Sequence, residues 1–168
     1  MALTSGKNSK DRDSHIPYFD RRASCYQRDS LNWPWSMLRA SEAAGIDRMM
    51  GDVSGLNLLD LGCGAGYYAN LYIDRAPSRL AAVDSSSLMI DQITDKRIEC
   101  LVADAATAKL NGHFDRIISA GLLEFVDDEH AVLINARRHI HRDGKLIVLI
   151  PRKNPAGNIY QLFHKRNG

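Results

Sequence analysis

The sequence lacks the features that mark membrane-spanning or disulfide-bonded proteins. None of its apolar runs approaches the roughly 20 residues that span a bilayer, and residues 1–15 are polar and charged, without the apolar core of a signal peptide. The three cysteines, Cys25, Cys63 and Cys100, are odd in number and widely spaced, which argues against a disulfide framework or a zinc site. We therefore expect a cytoplasmic protein with no bound metal.

The length of 168 residues fits one domain with a single core. We expect a disordered arm over residues 1–15, a folded domain over residues 16–151 and a basic segment over residues 152–168. From residue 137 onward there are eight Lys or Arg and one acid. This end of the chain is either a solvated tail, part of a lid, or a surface that faces an anionic substrate, a membrane or nucleic acid.

Residues 56–68 contain the most informative pattern. An apolar run carries Asp60 near its end, and glycines follow at positions 62, 64 and 66 before an amphipathic helix begins. Glycine permits positive φ and close approach of a ligand to the backbone, and the helix start adds free N–H groups. The dinucleotide-binding pattern would place its third glycine at position 67, where this chain has Tyr67. That bulky side chain and the glycine spacing argue against a pyrophosphate lying across the turn, and hence against a nucleotide-linked oxidoreductase.

An acid also lies at the end of two further predicted strands. The hydrophobic pattern alternates five strands with helices, and Asp84 and Asp104 follow the second and third strands. The predicted strands are 56–61, 79–83, 98–103, 114–119 and 145–150, and the predicted helices are 31–50, 67–75, 85–96 and 128–141. Because open α/β sheets bind ligands at the carboxyl ends of their strands, we expect Asp60, Asp84 and Asp104 to line one site. Asp84 has a second possible role as the cap of the helix that follows it.

Together these residues resemble motif I and the following motifs of the class I S-adenosylmethionine-dependent methyltransferases, from about Tyr18 to Pro151. The resemblance implies a Rossmann-like, doubly wound α/β sheet with strand order 3-2-1-4-5. It implies S-adenosylmethionine as cofactor, S-adenosylhomocysteine as its product and a small molecule as methyl acceptor. The segment after the fourth strand, Ser119 to Val126, resembles the small-molecule branch. It lacks the Asp/Asn-Pro-Pro-aromatic signature of nucleobase methyltransferases, so we expect no nucleic-acid partner.

The resemblance also implies roles for individual residues. Gly62, Gly64 and Gly66 would seat the methionine part, Asp84 the ribose, and Asp104 with Ala105 the adenine. Gly121 and Leu122 would line the methyl side. Around these the resemblance places the remaining candidates for cofactor contact: Asp60, Cys63, Ser85, Met89, Tyr18 and Tyr26. Met89 is equally compatible with a core position, and the segment 16–27 with a helix that packs on the sheet. None of the six histidines lies in a motif that identifies a general base, so no catalytic residue is assigned.

The chain departs from the family pattern after its fifth strand. Class I methyltransferases continue with a helix and two more strands, whereas only Pro151 to Gly168 remain here. The hydrophobic strand Lys145 to Ile150 would then be an uncovered edge. We therefore expect one of three cases: a truncated chain, a reduced variant, or a partner such as a second copy that covers this edge. The alternatives to an enzyme of this class are a non-catalytic cofactor-binding or dimerising module and, with the basic tail, a nucleic-acid methyltransferase.

Overall fold

The computed structural model describes residues 17, 19–21, 23–24 and 35–150. Its centre is a five-stranded parallel sheet in the order β3-β2-β1-β4-β5, which confirms the predicted order. The strands are β1 Asn57–Leu61, β2 Arg79–Asp84, β3 Glu99–Val102, β4 Phe114–Ala120 and β5 Ile140–Leu149. The helices are α1 Trp35–Met50, α2 Tyr67–Ile73, α3 Ser87–Ile90 and α4 Glu129–His139, with a 3-10 turn at Leu123–Phe125.

Both faces of the central strands are buried. Along β1, Leu58 belongs to one apolar cluster and Leu59 to a second, because successive side chains of a strand point to opposite faces. The first cluster contains Ile46 and Met50 of α1, and the second contains Val132 of α4. The sequence therefore folds as a sheet with helices on both faces, as parallel sheets require.

The C-terminal end of α1 is fixed to the sheet by two cations. The Nε of Arg116 on β4 donates to the Met50 carbonyl at 3.1 Å, and the Nζ of Lys145 on β5 lies 3.4 Å from the Met49 carbonyl. The final carbonyls of a helix have no partner within the helix and carry its negative dipole end, so cations there are favourable.

Two predicted elements differ from those observed. The helix expected over 85–96 is only the four-residue α3, because the chain tightens after Ile90: Gln92 and Ile93 donate to carbonyls three residues earlier, at 3.1 and 2.9 Å. The expected turn at 143–144 lies inside β5, which starts at Ile140 opposite Phe114 and shifts register before Lys145 pairs with Arg116. Residues 141–144 thus form a bulge.

In the part of the chain that the structure describes, no helix combines the length and apolarity needed to cross a membrane. The expected N-terminal arm and the basic segment 152–168 lie outside the described residues.

Candidate functional site

The glycine turn between β1 and α2 depends on positive φ. Gly62, Gly64 and Gly66 have φ values of 77°, 52° and 80°, a region that side chains disfavour. A Cβ on Gly62 would lie 2.8 Å from Cδ1 of Leu122, and one on Gly66 would lie 2.7 Å from Cγ1 of Ile93. The turn therefore requires glycine, because its φ values are positive and because a Cβ on Gly62 or Gly66 would clash with a neighbouring side chain.

Asp84, at the end of β2, supports this turn from the side. Its Oδ2 accepts from the Gly64 N–H at 2.8 Å, and its Oδ1 accepts from the Ser86 N–H at 2.9 Å. The Ser85 N–H is a further backbone donor to this carboxylate. Because each carboxylate oxygen can accept two hydrogen bonds, acceptor capacity still remains for ribose hydroxyls. The suggested capping role belongs instead to Ser86, whose hydroxyl accepts from the Met89 N–H at 3.1 Å.

Burial raises the pKa of Asp84, and the charge of Asp20 contributes in the same direction, while backbone N–H groups lower it. Asp60 lies deeper, at 3% exposure, and its Oδ2 accepts from the Ala69 N–H of α2 at 3.0 Å. Burial, opposed by the Ala69 hydrogen bond, raises the pKa of Asp60 to about 7. In this structure Asp60 anchors the start of α2 against the end of β1; its predicted contact with the cofactor remains a prediction.

The predicted adenine loop follows β3. Asp104 is exposed, and its Oδ1 accepts from the Ala106 N–H at 2.7 Å, which closes a turn, whereas Ala105 is buried. Asn135 of α4 holds the loop from beneath: its amide donates to the carbonyls of Ala105 and Ala108 at 2.9 and 3.0 Å. Asp104 and Ala105 thus follow β3, the neighbour of β2, at the end of the sheet where the strands have their carboxyl termini, which is the position the sequence predicts.

The loop after β4 closes the opposite side of the glycine turn. Gly121 has φ 70° and donates its N–H to the Leu149 carbonyl at 3.1 Å, and Leu122 lies against Gly62. The predicted methyl-side residues are therefore adjacent to the turn. Glu124 follows in the 3-10 turn, and its two buried carboxylate oxygens accept no hydrogen bond from another of the described residues; its own backbone N–H is the one donor that acts on its pKa.

Residues before α1 cover the site from above. Residues 17, 19–21 and 23–24 are helical. Ala23 packs with Ala65 and Met89, next to Phe19, and the Ser86 hydroxyl donates to Oδ1 of Asp20. For the described residues Phe19, Asp20 and Ala23, these contacts agree with a packing role. Tyr18 and Tyr26, the two residues proposed to lie near the cofactor, are outside the described residues.

The other predicted site residues differ in accessibility. Met89 is 1% exposed and packs as a core residue, and Ser85 is exposed beside Asp84. Cys63 is buried, and burial raises the pKa of its thiol. Its backbone N–H donates to the Val83 carbonyl at 3.0 Å, so Cys63 ties the turn to β2. Among the described residues no group of three His, Cys, Asp or Glu could hold a metal ion.

Sequence reasoning missed Asn135, Glu124 and Asp20. The helix that carries Asn135 is predicted from its apolar stripe. A polar residue on that buried stripe is the signal that could have identified Asn135. Glu124 follows a predicted strand directly, but nothing local shows that its oxygens are buried and unpartnered. The contact of Asp20 with Ser86 spans 66 residues, and no spacing rule predicts it.

The strand order, the glycine turn and the acids at the carboxyl edge define a Rossmann-like methyltransferase fold. Comparison with known proteins agrees, because the family profile described as "Methyltransferase domain" matches residues 59–148, more than half of the chain. The chain belongs to this methyltransferase-domain family.

Individual relatives are similar over part of their length. The chain is 32% identical over 98 residues to malonyl-[acyl-carrier protein] O-methyltransferase of Acetivibrio thermocellus, covering 55% of this chain and 35% of that protein. It is 35% identical over 103 residues to trans-aconitate 2-methyltransferase of Enterobacter sp., covering 60% and 40%. The chain thus spans well under half the length of these curated relatives. The solved structure of N-methyltransferase NodS from Bradyrhizobium japonicum superposes with a TM-score of 0.72 at 19% identity, covering 89% of this chain and 79% of that one.

Proposed function

We propose that this chain binds S-adenosylmethionine and transfers its methyl group to a small-molecule acceptor, releasing S-adenosylhomocysteine. The observation that carries the proposal is the carboxylate of Asp84, which supports the glycine turn through Gly64 at the end of β2 and keeps acceptor capacity beyond its backbone hydrogen bonds. The family assignment and the relatives' names support the same reaction class.

In this proposal the chain's own residues mainly bind and align. Gly62, Gly64 and Gly66 leave room for the methionine part, Asp84 accepts from both ribose hydroxyls, and the loop at Asp104 and Ala105 receives the adenine. When bound, the cofactor supplies an electrophilic methyl group on a sulfonium. In-line transfer of that group needs alignment and exclusion of water, and in this proposal Leu122 and the helical residues 19–21 and 23–24 exclude it.

The proposal is tested by titrating S-adenosylhomocysteine into the 168-residue chain by calorimetry. We expect micromolar affinity for the wild type and a loss of about 1–3 kcal/mol for Asp84→Ala, which removes the acceptors of the ribose hydroxyls. Asp91→Ala, an exposed acid beyond α3, is the matched control and should bind like the wild type.

Because Asp84 also supports the glycine turn, a loss of affinity in Asp84→Ala is meaningful only if that variant is folded. Circular dichroism and thermal melting must show that Asp84→Ala is folded. Equal affinity of the wild type and of Asp84→Ala would place the cofactor elsewhere, and no binding by the folded wild type would refute the proposal.

We further propose a domain over residues 16–151, flanked by an arm and a basic segment, and a cytoplasmic location. Cys63 and Cys100 are free thiols, which agrees with a reducing compartment. Within the described residues β5 is a sheet edge, and Ile150 beyond it is 59% exposed. These features support the proposal that a further strand or a second copy pairs with β5.

The family assignment does not determine which atom of the acceptor, oxygen or nitrogen, receives the methyl group. The names of its relatives include both an O-methyltransferase and an N-methyltransferase. The choice between these chemistries must therefore come from the residues of this chain.

A further inference from the structure

Three buried oxygen atoms on residues next to the glycine turn or to Gly121 accept no hydrogen bond from another described residue. They are the two carboxylate oxygens of Glu124 and the hydroxyl of Tyr68, a residue only 4% exposed. A Cβ on Gly121 would lie 3.7 Å from Oε1 of Glu124, and Tyr68 follows the last glycine of the turn by two residues. A fourth such atom, the Ser119 hydroxyl, neighbours Ile118 on β4. Because Ile118 packs in the cluster of Tyr68 and strand side chains alternate, Ser119 points to the other face of the sheet. Unpaired buried polar atoms are rare in native proteins, and each requires an explanation.

Contacts of the surrounding loop place Glu124 beside the proposed cofactor. Two residues earlier, Leu122 lies against Gly62 of the glycine turn. One residue later, the ring of Phe125 meets that of Phe19 edge-on, with centroids 5.1 Å apart. Glu124 therefore belongs to a short segment that joins the glycine turn to the helical residues covering it.

A second acid faces the same region from α1. Burial raises the pKa of Glu124, its own backbone N–H opposes that effect, and the charge of Glu42 raises the pKa by a smaller amount. Burial and then the charge of Glu42 also raise the pKa of the Tyr68 hydroxyl. Glu42 is itself partly buried, which raises its own pKa. Glu42 is thus within electrostatic reach of both unpartnered groups.

Among the described residues, one cation is near these acids. Arg39, one turn before Glu42 on α1, lowers the pKa of Glu42 and of Tyr68, and its guanidinium lies over the Tyr67 ring at 5.3 Å. Asp60, in its ionised form, also raises the pKa of Tyr68, as the smallest of these effects. The described groups around Tyr68 and Glu124 therefore include three carboxyls and one guanidinium, so the local field favours a positively charged ligand.

We propose that Glu124, Glu42 and Tyr68 form the acceptor subsite and that the acceptor is a primary or secondary amine, which arrives as an ammonium ion. This inference rests on the proposed methyl transfer. An ammonium group brings N–H donors for the unpartnered oxygens and a charge that offsets the two carboxylates. A carboxylate acceptor would meet like charges at the same place, which excludes it by repulsion.

The subsite also answers a chemical requirement of amine methylation. An ammonium nitrogen has no lone pair, so it must first lose a proton, and the carboxylate of Glu124 accepts that proton to become a carboxylic acid. The freed lone pair then bonds to the methyl carbon, while the carbon–sulfur bond breaks and its electron pair stays on sulfur. The product is an N-methylated ammonium ion and a neutral thioether. Burial of Glu124 moves its pKa toward neutrality, as a general base requires.

The experiment compares three probes with the same skeleton: benzylammonium, benzyl alcohol and benzoate. Each is titrated into the chain saturated with S-adenosylhomocysteine, and binding is followed by ligand-observed NMR. We expect benzylammonium to bind about tenfold more tightly than benzyl alcohol, with no binding of benzoate. Glu124→Gln should remove this preference for the cation and leave S-adenosylhomocysteine affinity unchanged, whereas Glu124→Asp should restore part of it.

Glu129→Gln, which changes an exposed acid on α4, is the matched control and should keep the preference. Methyl transfer from a donor with a tritiated methyl group gives a second readout: we expect the label in N-methylbenzylamine and, for Glu124→Gln, a lower kcat as well as a higher KM.

Three results would overturn the amine assignment in a chain that binds S-adenosylhomocysteine normally. They are benzoate binding as tightly as benzylammonium, no binding of benzylammonium, or an undiminished preference in Glu124→Gln. A wild-type chain that is folded but does not bind S-adenosylhomocysteine would instead refute the proposed function, and this inference with it.

Discussion

Replacing Asp60 by Asn should make the protein more stable at pH 8 and leave it nearly unchanged at pH 4. Asp60 is buried, and its one described hydrogen bond, from the Ala69 N–H, can also be accepted by the Asn carbonyl oxygen. Burial raises the pKa of Asp60 from 3.8 to about 7 in the folded state. The folded chain therefore holds a proton that the unfolded chain loses, and the wild type becomes less stable as pH rises from about 4 to about 7.

The magnitude follows from the shift itself. A difference of about three pKa units at about 1.4 kcal/mol per unit gives about 4 kcal/mol, and the shift already contains the favourable hydrogen bond from Ala69. Other groups titrate in the same range, so the quantity to compare is the difference between the two proteins at each pH. We expect the advantage of Asp60→Asn in the free energy of unfolding to grow from near zero at pH 4 to about 4 kcal/mol at pH 8.

Urea unfolding followed by circular dichroism at several pH values measures this difference. Asp91→Asn, which changes an exposed acid, is the control and should track the wild type. If the profiles of Asp60→Asn and wild type were parallel, or if Asp60→Asn were the less stable at pH 8, Asp60 would be ionised in the folded chain, and the argument from burial would be wrong.

Two further substitutions test the packing that shapes the site. Gly66→Ala should lower the free energy of unfolding by about 1–3 kcal/mol, because the added Cβ would lie 2.7 Å from Cγ1 of Ile93 at a φ of 80°; Gly45→Ala, with no atom within 4 Å of the new Cβ, should instead stabilise α1 by about 0.5–1 kcal/mol. Equal effects of the two in urea unfolding would contradict the steric argument. Asn135→Ala should cost about 2–4 kcal/mol in thermal unfolding, since it leaves the Ala105 and Ala108 carbonyls without their side-chain donor. An unchanged melting temperature would show that neither hydrogen bond matters to the loop.

The sequence predicts the sheet better than it predicts the ends of the elements. The strand order and the position of the glycine turn follow from local patterns, namely apolar runs, glycine spacing and acids at strand ends. The length of α3 does not, because it depends on Ile93 reaching Gly66, which is far away in sequence. The start of β5 likewise depends on the pairing of Ile140 with Phe114 across 26 residues. Contacts of this kind leave no periodic signal.

Sequence likewise predicts some residues of the candidate site and not others. Asp84 could be predicted because a carboxylate at the end of the second strand has a fixed place in this fold. The environment of Glu124 could not, since residue type shows neither that its oxygens are buried nor that the charge of Glu42 reaches it. The charge and burial around an acceptor depend on residues from several elements that are distant in sequence. The cofactor-binding residues, in contrast, lie in short local motifs.

The contact between Leu122 and Gly62 has a consequence for altering the specificity of this protein. The residues proposed to hold the cofactor lie at the ends of β1 to β3. Those proposed to receive the acceptor lie on α1, on the loop after β4 and, for Tyr68, directly after the glycine turn. The loop after β4 can therefore be exchanged as an acceptor module while the cofactor module is kept. Leu122 is where the modules touch, because its side chain occupies the space that a Cβ on residue 62 would need. A transplanted acceptor loop should therefore keep a residue the size of leucine at position 122. Substitutions intended to change the acceptor should be made at positions 123 to 126.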